Sequence, residues 1–519
     1  LALCGHPVQV MCYSEYLATR DEKDFKEFYD YFGIRWNITY QTFEQASGEY
    51  FNTVAGNAKK YVHHCIGLPK AAKSYVNVRT NPILLIDEVD VFFDEKLYGK
   101  NRGIGSFPSV PGLNKIQIKM WELVQQKSLN IRQSIDSFIN NNSDATIAEF
   151  RMLMNKSGQY SLLISTKDQS LIKHYSNFDI FSSHLDDMVS TAETVYKMKY
   201  DDSYLNQFQL NQSGNITVKT DFGSYTENSY HKYFNTFIYF RLKKINFEEG
   251  KSNYGYLTFH LGSISYAKLP ENFPLILGVS GTLTTLSNYE KKVVKDHYNI
   301  TDLSVMPSFF GGSNLKFNET QDFSCLNSVN EWMNAIFGRI NMMVYARRSV
   351  LVVFDTDLKI NAFKQQFAAQ LDRLNVLTVD TDPADKERFI NDAGVSRTIT
   401  LSTREMGRGV DYKSSVAVEK NGGMHVIQSF FSVDVKEETQ IKGRTARKDN
   451  RGSYELIVCF EDLKRQKLVE NNESYVLVSY NRLIESRSRK LVIKDAARDE
   501  KLREANARHD ATVEFYKYK

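Results

Sequence analysis

The sequence predicts an α/β protein with two parallel-sheet modules, an inserted α+β domain and a short helical C-terminal tail. Short apolar runs alternate with stretches of helical periodicity, which is typical of βαβ units. Two of these runs, Ile83–Ile86 and Val350–Phe354, are apolar throughout, as expected for strands covered on both faces. Residues 96–268 interrupt the alternation and are rich in Tyr, Phe and Asn, which indicates a separate domain.

Length and composition limit the classes of protein to consider. A chain of 519 residues is too long for one hydrophobic core and indicates two to four domains. The net charge of +4 excludes a basic field over the whole chain. The five cysteines form no CxxC pair, which argues against a zinc site or a disulfide framework and favours a reducing compartment such as the cytoplasm. No run of about 18 apolar residues is present, and no signal peptide opens the chain.

The first module begins with a predicted strand at Val8–Tyr13. A predicted amphipathic helix follows at Glu15–Phe32 and ends at Gly33. A second strand, Ile38–Thr42, precedes a helix that we expect to continue to the strand at Ile83. This order predicts neighbouring parallel strands.

Two carboxylates, Asp87 and Glu88, stand at the C-terminal tip of the strand that follows Pro82. Ligands of open α/β sheets collect beyond the carboxyl ends of the strands, so acids placed there can meet a metal-bound phosphate. This is the Walker B arrangement of P-loop NTPases, in which the first acid holds Mg²⁺ and its neighbour orients the attacking water. For an isolated strand with two acids, an ordinary acidic turn is an equally good interpretation.

The predicted inserted domain contains two helical stretches, Leu113–Phe138 and Ser143–Met154. A strand-rich region follows, with turn signals near Gly214 and Gly223. An insertion of this size is a domain rather than a loop. Its aromatic residues either form the core of a small β-rich domain or line a moving clamp; they are Tyr225, Tyr230, Tyr233, Phe234, Phe237, Tyr239 and Phe240.

The predicted strand Pro274–Val279 restores the α/β pattern and is followed by Ser280, Gly281 and Thr282. Small residues let the backbone approach a phosphate or a neighbouring strand, and the hydroxyls can relay hydrogen bonds. A tight turn with no further role is the alternative interpretation.

The second module follows a break at residues 307–312, and its predicted elements after the first strand are a helix at Leu358–Leu371 and strands at Val376–Val379 and Thr398–Thr403. Gly407 and Gly409 flank Arg408, so the main chain can turn sharply while the guanidinium faces an anion.

A stretch that starts at Gln440 places Arg444 and Arg447 three residues apart, on one face of a predicted helix. The arginine fork matches phosphate oxygens bidentately, so the spacing favours a phosphate site. For the two arginines alone, a solvated helix face is the alternative.

Four segments resemble, in order, motifs II, III, V and VI of the superfamily 2 DEAD-type helicase motors: Asp87-Glu88-Val89-Asp90, Ser280-Gly281-Thr282, Gly407-Arg408-Gly409-Val410-Asp411, and Gln440 to Arg447. Within that superfamily the sequence resembles the SecA preprotein translocase ATPases. Residues Tyr16–Asp21 and Gly422–Ile427 are similar to local SecA segments, and the insertion lies where SecA carries its preprotein-crosslinking domain.

The sequence also departs from the SecA pattern. Residues 1–519 contain no Walker A loop, and because the chain begins at Leu1, just downstream of where that loop would lie, we expect a truncation there. The residues beyond Glu461 are too few for the long scaffold helix of SecA, and its C-terminal zinc-binding cysteines are absent. The basic residues of this tail form a solvated helix or, alternatively, touch an acidic surface or lipid.

The resemblance implies a domain order that can be written by residue number. It implies a truncated first RecA-like domain at 1–95 and 269–306, the inserted domain at 96–268, a second RecA-like domain at 307–462 and a helical tail at 463–519.

The resemblance further implies ATP and Mg²⁺ between the two RecA-like domains. Asp87 would hold Mg²⁺ through water, Glu88 would position the attacking water, and Arg444 and Arg447 would reach the γ-phosphate. The implied ATP-binding residues are Gly407, Arg408, Gly409, Asp411, Gln440 and Gly443, and the implied coupling residues are Thr42, Ser280, Gly281 and Thr282.

The implied function is an ATP-driven motor that moves an unfolded polypeptide. The implied partners are that polypeptide and a membrane or translocon surface, so the protein would be cytoplasmic or peripheral to a membrane. The alternatives are an RNA or DNA helicase that has acquired an insertion, with nucleic acid as its substrate, and a SecA-like scaffold without catalytic activity.

Overall fold

A computed structural model describes most of the chain. The predicted turn at Gly223, the ring of Tyr230 and most of the helix predicted over residues 57–81 lie outside the described part. The described residues are 1–56, 58, 62–63, 66–68, 82–93, 97–156, 159–165, 170–198, 205–210, 214–219, 225–226, 233–243, 254–307, 309–310, 312–378, 381–407, 409–470 and 472–517.

The first part of the chain has the strand and helix alternation that the sequence predicts. The helix predicted at Glu15–Phe32 is wrong as one helix, because a tightened turn at Phe25 divides it in two. A capping box of Thr42 and Gln45 starts the third helix. The elements are β1 (Val8–Cys12), α1 (Glu15–Asp24), α2 (Lys26–Tyr31), β2 (Ile38–Thr42), α3 (Phe43–Ala55), β3 (Ile83–Asp87) and α4 (Val89–Phe92).

The segment between residues 97 and 275 mixes helices with antiparallel strands. The helical stretch predicted at Leu113–Phe138 is present as two helices, because Lys127 and Asn130 adopt positive φ and separate them. Gly214, with a φ of 78°, precedes the second strand of an antiparallel pair, as its turn signal predicted. The elements are β4 (Asn101–Ser106), α5 (Leu113–Gln125), α6 (Ile131–Asn141), α7 (Ala145–Met154), β5 (Gln159–Ser165), β6 (Ser170–Ser176), α8 (Asn177–Lys197), β7 (Phe208–Leu210), β8 (Ile216–Lys219), β9 (Tyr225–Thr226), α9 (Phe234–Lys243) and β10 (Phe259–Ser265).

The remaining segment alternates strands and helices and ends in one long helix. The predicted helical tail is present as the last two helices. The elements are β11 (Ile276–Val279), α10 (Asn288–Lys292), β12 (Phe323–Leu326), α11 (Val329–Tyr345), β13 (Val350–Phe354), α12 (Asp357–Phe367), β14 (Leu374–Leu377), α13 (Pro383–Asp392), β15 (Ile399–Thr403), α14 (Val416–Lys420), β16 (Met424–Gln428), α15 (Val435–Lys442), β17 (Gly452–Cys459), α16 (Phe460–Arg465) and α17 (Tyr480–Lys517).

The chain divides into two compact units. Unit 1 comprises Leu1–Leu84, Glu95–Leu275 and Lys501–Lys519, and unit 2 comprises Leu85–Asp94 and Ile276–Glu500. Strand β3 and helix α17 therefore each contribute residues to both units.

Unit 1 combines a small parallel arrangement with a separate helical core. Strands β1 and β2 pair in parallel, and the Ile83 N–H donates to the Pro7 carbonyl at 2.8 Å beside them. The rings of Tyr233, Phe237, Tyr239 and Phe240 are fully buried among helices α5 to α8, which agrees with the core interpretation of those aromatic residues.

Unit 2 is organised around a parallel sheet of six strands in the order β12-β17-β16-β13-β15-β14. Strand β13 is fully buried, and its residues alternate between two hydrophobic clusters. Leu351 and Val353 belong to one cluster, while Val350, Val352 and Phe354 belong to the other. Because side chains alternate along a strand, the two clusters lie on opposite faces of the sheet. The predicted α/β class with parallel sheets is therefore confirmed.

Among the described residues, no helix combines the length and the apolarity needed to cross a bilayer. The described cysteines Cys4, Cys12, Cys325 and Cys459 form no disulfide with one another.

We expect Gly423→Ala to lower the free energy of unfolding of unit 2 by more than about 2 kcal/mol. Gly423 has a φ of 79°, and an added Cβ would overlap the backbone of Arg451. The matched control is Gly338→Ala, because Gly338 lies within α11 and a Cβ there meets open space. In urea denaturation, the free energy of unfolding of the control should rise by about 0.5–1 kcal/mol. Equal effects of the two substitutions would contradict the expectation.

Candidate functional site

The tip of strand β3 carries three carboxylates in four residues. Asp87 ends the strand and is half-buried, and Glu88 follows with φ 50° and ψ 54°. A left-handed conformation costs a residue with a Cβ about 1–3 kcal/mol, and such strain is concentrated at functional sites. Asp90 lies in the first turn of α4 and is fully buried, so it needs polar partners.

Ser280, which follows β11, is one of the polar partners of Asp90. Its hydroxyl donates to Asp90 Oδ1 and lies 3.4 Å from Glu88 Oε2. The Thr282 N–H donates to Ser280 Oγ at 3.1 Å, and the Thr282 hydroxyl lies 3.1 Å from the same oxygen. A Cβ at Gly281 would meet open space. The predicted Ser-Gly-Thr segment therefore reaches the predicted acidic segment through Ser280.

Gln440 reaches the same acids from helix α15. Its Nε2 donates to Glu88 Oε2 at 3.3 Å and to Asp90 Oδ2 at 3.5 Å. Its amide oxygen is buried and accepts no hydrogen bond from the part of the chain that the structure describes. Glu88, Asp90, Ser280 and Gln440, which we call the carboxylate cluster, thus join three segments of unit 2 that lie far apart in the sequence.

Helix α15 is tied to the same region by an ion pair. Lys436 Nζ lies 2.6 Å from Glu290 Oε1 and donates to the Asp90 carbonyl at 3.2 Å. Arg498 Nη1 lies 3.6 Å from the same Glu290 oxygen. Both members of the Lys436–Glu290 pair are buried, so they fix the orientation of α15 beside the acids.

Another face of α15 packs on α17 through a buried charge network. Glu438 accepts hydrogen bonds from Arg487 Nη1 and Lys442 Nζ, each at 2.6 Å, and from the Tyr480 hydroxyl. Burial acts to raise the pKa of Glu438, but Lys442 and Arg487 outweigh it and lower that pKa below its usual value. Arg487 is buried, so the solvated-helix interpretation of the tail is wrong at this residue.

We expect Glu438→Gln to lower the free energy of unfolding by about 3 kcal/mol at pH 7, because it leaves Arg487 buried without a counterion. Since the folded-state pKa of Glu438 is lowered, its stabilisation is present above the ordinary pKa of 4.5 and is lost as pH falls through the folded value. The difference between wild type and variant should therefore shrink in acid. Urea unfolding at pH 7 and pH 4, with exposed Glu387→Gln as control, measures both effects; a difference that grows in acid would contradict the assignment.

The glycines predicted to bind ATP occupy tight positions. A Cβ at Gly407 would lie 2.9 Å from Ile441, and Gly409 has a φ of 65°. Gly443 is the C-cap of α15. Arg408 lies outside the described residues.

The prediction that Arg444 and Arg447 share a helical face is wrong. Helix α15 ends at Lys442, and Ala446 adopts a φ of 52°, so both arginines lie in the loop beyond the helix. Arg444 donates to the carbonyls of Gln440, at 3.0 Å, and Val410. Arg447 Nη1 pairs with Asp411 Oδ1 at 2.5 Å, with both side chains about two-fifths exposed. The segment that contains Arg444 and Arg447 is therefore held against Val410 and Asp411 by its arginines.

The structure places every predicted site residue except Arg408. Thr42 belongs to unit 1, where it caps α3. In unit 2 Glu88 contacts Ser280 and Gln440, and Arg447 contacts Asp411. The catalytic, binding and coupling roles of all these residues remain predictions.

Sequence reasoning missed Lys436 and Glu290 and gave no role to Asp90. One signal was available, because Lys436 and Gln440 are four residues apart and therefore share a helix face. Glu290 carried no such signal, since its place in the capping box with Ser287 already accounts for it.

Comparisons with known proteins give partial matches, and no family model matches the chain. The chain is 30% identical over 176 residues, 32% of its length, to the protein translocase subunit SecA 2 of Staphylococcus aureus, and covers 22% of that protein. It is 38% identical over 78 residues, 15% of its length, to SecA 2 of Nitrosospira multiformis, and covers 12% of it. The chain thus spans less than a quarter of the length of these relatives.

Solved structures with a partial likeness include two proteins bound to RNA. The match to the DEAD-box helicase Mss116 bound to ssRNA and UDP-BeF covers 90% of this chain and 64% of the Mss116 chain, with 11% identity and a TM-score of 0.31. The match to Dbp5 of S. cerevisiae, bound to RNA and ADP BeF3, covers 45% of this chain and 56% of the Dbp5 chain, with 13% identity and a TM-score of 0.28. These scores are too low to assign a fold or a function. The sequence matches, by contrast, confirm the predicted resemblance: over 32% of its length the chain is related in sequence to the SecA2 protein translocase subunits.

Proposed function

We propose that this chain is the motor part of a SecA-type ATPase, which hydrolyses ATP beside the carboxylate cluster and moves an unfolded polypeptide. The observation that carries the proposal is the meeting of Glu88 with Ser280 and Gln440, which are 192 and 352 positions away in the sequence. These residues belong to the segments that resemble motifs II, III and VI. Partial identity to SecA2 proteins supports the choice of a polypeptide as substrate.

The acids at the tip of β3 have the chemistry that a magnesium nucleotide requires. Mg²⁺ prefers carboxylate and water oxygens, and in our proposal Asp87 holds it through water. The bound ion would neutralise charge on the phosphates. Glu88 positions the attacking water and accepts its proton, while Ser280 and Gln440 hold the Glu88 carboxylate in place.

The buried amide oxygen of Gln440 is an observation that favours a ligand at this point. An acceptor without a donor costs about 1–3 kcal/mol in a folded protein, and a water or hydroxyl group that arrives with a nucleotide would satisfy it. Gln440 therefore senses the nucleotide in our proposal, while its Nε2 keeps the contact to Glu88.

The remaining roles follow the motif order. Arg444 and Arg447 stabilise the γ-phosphate, with Arg447 as the arginine finger. Gly407, Arg408, Gly409, Asp411 and Gly443 line the nucleotide site, and Ser280, Gly281, Thr282 and Thr42 couple hydrolysis to movement. The proposed domains are the two RecA-like parts at 1–95 with 269–306 and at 307–462, the insertion at 96–268 and the tail at 463–519. The proposed location is cytoplasmic, with peripheral contact to a membrane or translocon.

We expect residues 1–519 alone to bind ATP weakly, because their sequence holds no glycine-rich loop that could cradle the phosphates. Isothermal titration with ATP and Mg²⁺ measures this. Micromolar affinity would contradict the expectation and would point to a phosphate site built from other residues.

The substrate class is tested with the complete gene product. Its ATPase rate should rise with an unfolded, carboxymethylated protein and stay unchanged with poly(U) RNA. Stimulation by RNA that falls steeply with salt would identify a helicase instead. Absence of turnover with either substrate, together with retained folding, would identify a scaffold.

A further inference from the structure

Five large aromatic side chains lie exposed within a twelve-residue stretch of unit 1 around α2. Tyr31 and Trp36 are 84% and 86% exposed, and the other three are about half exposed. This aromatic patch consists of Phe25, Phe28, Tyr31, Phe32 and Trp36.

Four rings of the patch, those of Phe25, Phe28, Tyr31 and Phe32, are linked by ring contacts that include Tyr29, and Trp36 follows four residues after Phe32. The ring centroids of Phe28 and Phe32 are 4.7 Å apart, and those of Tyr31 and Phe32 are 5.0 Å apart. Phe25 stacks on Tyr29 at 5.9 Å, and the Tyr29 hydroxyl lies 2.8 Å from that of Tyr40 in β2. The Ile34 N–H donates to the Tyr29 carbonyl at 3.0 Å, which turns the chain back after α2. Through Tyr29, Phe25 and Phe28 are thus connected to strand β2.

Exposure of so many rings together is unusual for a surface without a partner. Single exposed apolar residues are normal, but contiguous apolar patches mark interaction sites. Tyrosine and tryptophan also dominate the energetic centres of protein interfaces, because they bury a large area at a small cost in side-chain entropy.

Charges around the patch select the kind of partner. Residues 15–36 carry six carboxylates and four cationic side chains. Two of the cations are already paired, Arg20 with Asp21 at 2.7 Å and Arg35 with Asp30 at 3.7 Å. Outside these two pairs, Glu15, Glu22, Asp24 and Glu27 outnumber Lys23 and Lys26, so the stretch is net negative, which opposes nucleic acid and anionic lipid.

We propose that the aromatic patch docks an apolar peptide segment that carries lysine or arginine residues. The apolar side chains of the peptide cover the rings, and its cations meet both the carboxylates and the ring faces. This inference goes beyond the proposed ATPase and does not rest on it, because docking needs no nucleotide.

Tryptophan fluorescence gives a direct test. The sequence has three tryptophans, and Trp121 and Trp332 are buried, so Trp36 alone reports on solvent exposure. A synthetic 16-residue peptide of alternating leucine and lysine should shift the Trp36 emission to shorter wavelength. It should also protect the Trp36 fluorescence from quenching by acrylamide. The same peptide with glutamate in place of lysine, or serine in place of leucine, should bind at least about tenfold more weakly.

Two variants locate the binding. Tyr31→Ala and Trp36→Ala remove highly exposed rings, so both variants should fold. Each should weaken the affinity for the labelled peptide, measured by fluorescence anisotropy, about tenfold. Tyr345→Ala is the matched control, because Tyr345 is 90% exposed in unit 2, and it should bind as wild type does.

Four results would overturn the proposal. One is peptide binding that neither patch variant weakens, and another is no binding at all. A third is oligomerisation in gel filtration that Tyr31→Ala abolishes, which would make a second copy the partner. The last is a Trp36 shift with oligo(dT) or anionic phosphatidylglycerol vesicles that exceeds the shift with the peptide. Because these measurements use no ATP, failure of the ATPase proposal leaves their outcome unchanged.

Discussion

Replacing Glu88 with glutamine is expected to reduce ATP turnover by the complete gene product about 10²- to 10⁴-fold, which is the contribution of a positioned general base. Glutamine has nearly the same shape as glutamate, so it can keep the contacts with Ser280 and Gln440 that lie at 3.4 and 3.3 Å. It cannot accept a proton from the attacking water. A coupled ATPase assay should therefore show almost no turnover, while a filter assay should show ATP retained by the protein.

The control for this experiment is Glu387→Gln, which makes the same chemical change at an exposed position of α13. It should hydrolyse ATP at the wild-type rate. Turnover by Glu88→Gln at that rate would remove Glu88 from the chemistry. A variant that neither binds nor hydrolyses ATP, although folded, would assign Glu88 to nucleotide binding instead.

The sequence predicts the strands of this fold better than its helix ends. The boundaries of β2 and β13 agree with prediction. Strand β13 is buried throughout, and its uninterrupted apolar run reveals it in the local pattern. The helix breaks at Phe25, Lys127 and Asn130 were missed, because each is a change of backbone conformation within a continuing amphipathic pattern. Tertiary packing, which the pattern does not contain, determines such positions.

Some residues of the candidate site could likewise be predicted from the sequence, and others could not. Glu88, Ser280 and Gln440 could be chosen in advance because their residue types follow a motif order with a chemical reason. Asp90, Lys436 and Glu290 received no role in advance, because a buried acid or lysine becomes meaningful only when distant segments bring it a partner. The Lys436–Glu290 pair joins residues 146 positions apart, and no local rule links them.

Replacing Arg447 with alanine is expected to reduce kcat about 10³-fold, with a smaller change in KM, since an arginine finger acts mainly on charge in the transition state. Arg447→Lys should recover little of the rate, because lysine lacks the planar fork that matches phosphate oxygens. In the structure Arg447 pairs with Asp411 at 2.5 Å, with both side chains well exposed. An exposed pair of this kind is worth at most about 1 kcal/mol, so it opposes release of the arginine towards a nucleotide only weakly.

This weak pair allows the finger role to be separated from a structural one. If Arg447 serves only to hold the motif V loop through Asp411, then Asp411→Ala and Arg447→Ala remove the same interaction and should lower kcat equally. If Arg447 reaches the γ-phosphate, Arg447→Ala must cost far more than Asp411→Ala, and the double variant should resemble Arg447→Ala alone. Arg388→Ala, which breaks an exposed pair with Asp385 in α13, is the control for loss of a surface cation and should leave kcat unchanged. Equal losses in the first two variants would leave Arg444 as the candidate finger, because its guanidinium also lies in the loop beyond α15.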